Sequence, residues 1–354
     1  MEFKLHPASS TLLLALALIE LRNIYLLSIA TFLGENMSLP YVVSIGDDMA
    51  FLGYRVETAK TPFVVLGVPY DETASYRAGA RWGPLAIRKI SRSLEACSLL
   101  TGIDMESIGF HDVGNVVPEL GNTRGTLDKL KNVAEALLKQ RKRLFVFGGE
   151  HTITYGTYAA LSSVYSSKHC LVVFDAHLDM RDSLFGSKLN HATVIRRTVE
   201  DLNPSKLLYI GVRAFSSEEA KYVSKLVRQG LAEVVYAVNI HRSLPQYAKQ
   251  FREMLSGCDE LYISIDMDVF DPAYAPAVQT PEPLGLSTWQ FFDIIMTLVD
   301  SRVHIVDIVE LAPAYDIGEA TSALAARIVI EMAALISRDL RLGKLCAEDL
   351  NQNC

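Results

Sequence analysis

From residue 60 onward, short apolar runs rich in β-branched residues alternate with longer runs in which apolar side chains recur every three or four positions. Eight short runs read as strands: 62–68, 107–113, 144–147, 170–174, 206–212, 233–238, 260–265 and 303–309. Most are nearly continuous in apolarity, the signature of strands covered on both faces, as in a parallel sheet. Between them, residues 127–140 place Leu127, Leu130, Val133, Ala134, Leu137 and Leu138 close to a 3.6-residue period, which predicts a helix. A second helix is predicted over 288–299, with Ser287 as its N-cap, and a third over 321–340, apolar on most faces. This alternation predicts one doubly wound or three-layer α/β domain. No internal repeat or low-complexity linker interrupts it.

The N-terminal stretch breaks the pattern. Residues 11–33 are nearly all apolar, interrupted by Glu20, Arg22 and Asn23. A span of about 20 apolar residues suffices to cross a membrane. A secretory signal is a second reading, although no clear small-x-small cleavage site follows. The third is that residues 1–36 form an extension outside the working protein, with the compact domain running from Met37 to residue 354. Membrane contact is expected only if 11–33 is a real anchor.

Composition narrows the class. Half the residues are apolar and about a fifth are charged, ordinary for a globular protein. The net charge of −7, with no basic cluster interleaved with aromatics, gives no reason to expect a nucleic-acid partner. The five cysteines, Cys97, Cys170, Cys258, Cys346 and Cys354, are scattered and contain no C-x-x-C pair. That spacing argues against a disulfide framework and predicts a reducing, cytoplasmic setting.

In open parallel sheets ligands bind beyond the carboxyl ends of the strands, and three segments there are unusual. Gly148-Gly149-Glu150-His151-Thr152 follows the 144–147 strand, its glycines allowing a sharp turn from which His151 emerges. Alone, it is compatible with a structural histidine. Phe174-Asp175-Ala176-His177-Leu178-Asp179 carries three metal-capable side chains at alternate positions, which share one side of an extended chain. A polar loop with a capping aspartate is the plain alternative. However, two carboxylates on one side of a strand end repel each other and lose solvent, and a cation relieves both problems. Ser264-Ile265-Asp266-Met267-Asp268 repeats the arrangement, with a solvated acidic turn as its plain reading; Asp271, before Pro272, reads as a turn residue.

Charge counting favours two metals. Asp175, Asp179, Asp266 and Asp268 carry four negative charges, which two divalent cations balance, and His151 and His177 complete the shells as neutral ligands. Six protein ligands are too many for one tetrahedral zinc, and a carboxylate-rich set suits Mn2+. His191, in Asn190-His191-Ala192-Thr193, is placed for a proton shuttle beside the site. His6, His111, His169, His241 and His304 have no such context and read as surface or structural.

These residues resemble the three metal-binding signatures of the arginase/agmatinase ureohydrolase family. Gly67-Val68-Pro69, the run Ser75-Tyr76-Arg77-Ala78-Gly79-Ala80-Arg81-Trp82-Gly83-Pro84, and Ile87-Arg88 resemble its N-terminal signature, so the likeness covers roughly residues 60 to 340. It implies a three-layer αβα sandwich around a mainly parallel eight-stranded sheet. It also implies two Mn2+ ions, one held by His151, Asp175, Asp179 and Asp266, the other by His177, Asp175, Asp266 and Asp268. Glu310, in Val309-Glu310-Leu311, matches the glutamate that pairs with a substrate guanidinium; a strand-end carboxylate bound to backbone amides is the alternative. A divalent ion can bring the pKa of a bound water down to about 7. Asp179 would then pass a proton to the departing amine and His191 would relay protons with solvent. A trimer or hexamer of identical chains is implied as well.

The likeness is nearer to agmatinases than to arginases, which implies cleavage of agmatine to putrescine and urea, a step of polyamine biosynthesis. Arg181, in Met180-Arg181-Asp182-Ser183-Leu184, stands where the arginase pattern has an amide. It reads as an ion pair with Asp182 or another local acid, or else as a partner for a substrate carboxylate. Guanidinobutyrate, aminopropylagmatine and arginine therefore stay open as substrates. A non-catalytic binding protein on the same fold and a one-zinc deacylase are the readings from other classes.

Overall fold

The structure, a computed structural model, describes residues 39–347. The apolar stretch 11–33 and the expected domain start at Met37 lie outside the described residues. The strands are β1 (Val42–Val43), β2 (Phe63–Gly67), β3 (Ile103–Asp104), β4 (His111–Val116), β5 (Arg143–Phe147), β6 (His169–Phe174), β7 (Lys206–Val212), β8 (Ala232–Tyr236), β9 (Glu260–Asp266), β10 (Val303–Val309) and β11 (Lys344–Leu345). The α-helices are α1 (Gly83–Ser91), α2 (Thr123–Lys139), α3 (Ile153–Val164), α4 (Val194–Leu202), α5 (Ser217–Arg228), α6 (Ala237–Met254), α7 (Thr288–Leu298) and α8 (Ala320–Leu340).

Each of the eight apolar runs forms a strand, and those eight pair in parallel. Among the described residues the main sheet has a ninth member, β1, antiparallel to β4 and two residues long. The order is β1-β4-β2-β5-β10-β9-β6-β7-β8. Every residue of β2 is buried, as are all but the first of β6, β7 and β9. That is why their sequences do not alternate. β4, next to the antiparallel edge, alternates in burial. Helices α2, α3 and α4 pack in succession, α1 packs on α8, and α6 packs on α7. Ser287 caps α7 as predicted, accepting from Gln290 N.

Two expectations are corrected. The strand predicted from residue 107 starts at His111, because Asp104 caps a tight turn at Met105–Ser107 and Gly109 takes a left-handed φ of +66°. It runs on to Val116, and its polar residues are satisfied from outside the strand. The buried Arg88 of α1 donates to Asp112 at 2.8 and 2.9 Å and to Asn115 at 2.7 Å. The cysteines also pair, Cys97 with Cys346 and Cys170 with Cys258, at separations of 249 and 88 residues. Cys170 lies in β6 and Cys258 just before the neighbouring β9, and the other pair flanks the small β3/β11 ladder. Separations of that length hide both pairings from any spacing rule.

Candidate metal centre

The sheet order sets β5, β10, β9 and β6 side by side, so the residues that follow these four strands meet at one edge. His151 comes from the turn after β5, Asp175, His177 and Asp179 follow β6, Asp266 ends β9, Asp268 lies in the turn after it, and Glu310 follows β10. The β5 turn is held close by its glycines. Gly148 and Gly149 do not need a positive φ; a Cβ at Gly149 would collide with the backbone of Tyr70, and one at Gly148 with Val309.

His151 Nδ1 lies 2.9 Å from Asp179 Oδ2, 3.3 Å from Asp175 Oδ2 and 3.6 Å from Asp266 Oδ2. His177 Nδ1 lies 2.9 Å from Asp268 Oδ2 and 3.5 Å from Asp175 Oδ1. Ligand atoms of His151, Asp175 and Asp266 fall within 4.8 Å of one another, and so do those of Asp175, His177 and Asp268. Asp175 thus belongs to both groups, as the expected bridge; Asp266 belongs to the first. Two ligands at right angles, each about 2.1 Å from an ion, are about 3.0 Å apart, so these spacings are those of coordination shells.

The tautomer of His151 points the same way. Ser264 Oγ donates to Asp307 Oδ1 at 2.6 Å, and a hydroxyl has one proton to give. At 3.0 Å from His151 Nε2, Ser264 must therefore accept from that nitrogen. The proton shared with Ser264 sits on Nε2, so Nδ1, which faces the carboxylates, is the nitrogen left to bind a cation. His151 Nδ1 and Asp175 Oδ2 are both buried without a hydrogen-bond partner. A lone pair aimed at anions is repulsive unless a cation lies between them, so the residues present fit a bound metal.

Charge tells the same story. Burial, then the neighbouring Asp268 and Asp175, push the Asp266 carboxyl well above the usual range. Burial and Asp175 push Asp179 up to about 7. Burial alone would lower the His151 and His177 imidazoles, but the surrounding aspartates raise both well above their ordinary value. The site lacks positive charge, which divalent ions supply.

Glu310 is buried with a left-handed φ of +66°, and Asp179 is also left-handed at φ +50°. Non-glycine residues in that region mark strain held by the surrounding fold. Glu310 Oε1 accepts from His151 N at 2.6 Å, while Oε2 has no partner. Both readings of this residue therefore hold in part: one oxygen serves the backbone and the other is free. His191 is buried between two hydroxyls, with Nε2 3.0 Å from Ser75 Oγ and Nδ1 3.3 Å from Thr73 Oγ1. Burial, then the charge on His151, lower its pKa to about 4, so it is neutral at ordinary pH.

Other expectations resolve locally. Arg181 faces an acid, Glu219, at 3.9 Å, not Asp182. Asp182 is met by Lys188, Arg196 and Arg197. Asp271 accepts from Ala273 N and Gly285 N as a turn residue. His111, His169, His241 and His304 bond to Val56, Tyr158, Leu284 and Glu260 respectively, and His6 lies outside the described residues.

Several residues at the site were missed. Thr73 links His191 to Glu150, donating to Glu150 Oε1 through its hydroxyl and to Oε2 through its backbone. Arg213 donates to the carbonyls of Asp268 at 2.6 Å, Glu282 at 2.7 Å and Pro283 at 2.9 Å, fastening the 282–283 loop to the β9 turn. Asp307 lies within β10 and reads as a break in an apolar run, the signal that could have flagged it.

The model of the Arginase family matches residues 61–334 of the chain. An agmatinase from Halalkalibacterium halodurans is 31% identical over 284 residues, covering 80% of this chain and 94% of the relative. A guanidinobutyrase from Pseudomonas aeruginosa is 33% identical over 276 residues, covering 77% and 85%. The crystal structure of an agmatine ureohydrolase from Thermoplasma volcanium superposes with a TM-score of 0.69 at 34% identity, covering 78% of this chain and 90% of that one.

Proposed function

The chain belongs to the arginase family and is a hydrolase of amidino C–N bonds, and from that premise we propose that it cleaves agmatine to putrescine and urea with two Mn2+ ions. The observation that carries the reading is the combination at the strand ends. Two histidine–carboxylate groups share Asp175, beside a buried Glu310 oxygen that nothing in the protein satisfies.

His151, Asp175, Asp179 and Asp266 would hold one ion, and His177, Asp175, Asp266 and Asp268 the other. Bound there, divalent ions lower the pKa of water towards neutrality and so supply a nucleophile. The protein's own groups do the rest. Glu310 Oε2 accepts from the guanidinium and orients its carbon. Asp179, one of the carboxylates at the site, is placed to pass a proton to the departing amine. His191, neutral and flanked by hydroxyls, can pass protons outward through Ser75 or Thr73.

Agmatine is favoured because Arg181 has an acid of the protein, Glu219, 3.9 Å away to compete with a substrate carboxylate for its charge. Relatives at similar identity include a guanidinobutyrase, and one experiment decides: urea release from agmatine, arginine, guanidinobutyrate and aminopropylagmatine. Agmatine should exceed arginine by roughly tenfold or more in kcat/KM. A lead for arginine or guanidinobutyrate would reject the agmatine assignment, and about one zinc per chain in place of two manganese would reject the metal assignment. A trimer or hexamer goes with this reading, and sedimentation of the purified protein tests it; the cytoplasmic setting read from unpaired cysteines loses that ground to the two disulfides.

A further inference from the structure

Among the described residues, eight buried side-chain polar atoms have no hydrogen-bond partner, and five belong to His151, Asp175, Glu310 and Gln279. The first three are accounted for by cations and a guanidinium. Gln279 contributes both of its amide atoms, although it is 2% exposed. Burying an amide with nothing to bond is unfavourable, so in the working protein water or a ligand supplies it with a donor and an acceptor.

Its place in the chain says which ligand. Val278 bridges Leu311 in antiparallel sense, and Ala312 N donates to Ala277 O at 2.9 Å. Residues 277–279 therefore run alongside 310–312, and the register sets Gln279 across from Glu310. One residue further on, Thr280 Oγ1 donates to Asp268 Oδ2 at 3.1 Å. Gln279 is thus held between the carboxylate assigned to the guanidinium and a metal-ligating aspartate. The segment is fixed from outside as well, since Arg77 donates to the carbonyls of Pro276 and Val278.

The geometry points to Gln279 as a substrate-binding residue for the guanidino head, an inference that rests on the proposed function. A guanidinium has only donors, and Glu310 Oε2 cannot serve them all; Gln279 Oε1 accepts another. When the head becomes urea it gains a carbonyl oxygen, and Gln279 Nε2 donates to it. An amide is suited to both states, and it adds no further negative charge beside four aspartates and Glu310.

The test is Gln279→Leu, which keeps the volume and removes both polar atoms, with Gln279→Met as a second variant. The expected result is a KM for the preferred guanidino substrate raised tenfold or more. The inhibition constant for urea should rise in parallel, with bound metal unchanged and Tm equal to or above that of the unaltered protein. Unchanged KM and urea inhibition would overturn the inference. So would a lowered Tm with unchanged KM, because that is the mark of a structural amide. If the unaltered protein releases urea from nothing in the panel, the proposed function falls. Calorimetric binding of guanidinium and of urea then decides Gln279 separately, and equal affinities in the unaltered and Gln279→Leu proteins overturn it.

Discussion

Replacing Asp307 with Asn should weaken metal binding, although Asp307 is not a ligand. Its carboxylate accepts from Thr154 Oγ1 at 2.6 Å, from Ser264 Oγ at 2.6 Å and from the Tyr262 hydroxyl, all buried. Thr154 and Tyr262 share Oδ2, so an Asn side chain keeps the most bonds by leaving its oxygen there and turning its NH2 towards Ser264. Two donors then meet, at a stability cost of about 1–3 kcal/mol. Ser264 is released to turn its proton to His151 Nε2, which moves the imidazole proton to Nδ1. That nitrogen then faces the carboxylates with a proton where the ligand lone pair was. Partners of this kind typically contribute about 10–100-fold to metal affinity, equivalent to about 1.4–2.7 kcal/mol. The assay is calorimetric titration of Mn2+ into chelator-stripped protein, with thermal unfolding of the same samples. Wild-type affinity in Asp307→Asn would refute the argument that Asp307, through Ser264, sets the tautomer of His151.

Other outcomes follow from the same contacts. His191→Ala should keep its metal and lose turnover; metal loss equal to the activity loss would make His191 a ligand instead. Glu310→Gln should retain metal and lower kcat/KM by about tenfold or more, since a charge-assisted hydrogen bond to the guanidinium is worth about 1.5–3 kcal/mol; steady-state kinetics with metal analysis checks it. His191 has a folded-state pKa of about 4, below its unfolded value of 6.5. Its unfolded form therefore takes up protons first as pH falls, and stability is lost from pH 6.5 towards 4. Between pH 7 and pH 5 that is about 2 kcal/mol, and His191→Ala should lose correspondingly less in urea unfolding at the two pH values. Four of the five cysteines are paired, so thiol titration of the denatured, unreduced protein should find no more than one free thiol; three would contradict one disulfide and five would contradict both.

The strands were legible because burial on both faces leaves a one-dimensional trace, a short run of apolar residues. The candidate metal-binding groups were legible because each lies within five residues of a strand end. What escaped was the set of partners distant in sequence. Arg88, noted in the sequence only as part of the N-terminal signature, is a buried bond donor to Asp112 and Asn115, and that pairing hid the true extent of β4. Asp307 and Thr73 act through atoms more than 40 residues away, Ser264 and His191 respectively. Arg181 was legible as an ion pair with a local acid or a grip for a substrate carboxylate, and the tertiary packing supplied the acid, Glu219. Gln279 carries no pattern at all in the sequence and is visible only once burial is known.

The strand order also bears on how the centre is assembled in time. β6 and β9 pair directly, so Asp175, His177 and Asp268 can come together once the chain has been made to residue 268. His151 is carried by β5, and β10 stands between β5 and β9. Its group with Asp175 and Asp266 cannot close until residues 303–309 have inserted. Chains grow from the N-terminus and fold as they emerge, so the expected order of maturation is the His177 half first. A nascent chain arrested with residue 300 clear of the ribosome should hold one metal site and not two; metal content of such arrested chains that equals the full-length value would show that the order of synthesis leaves no mark on the order of loading.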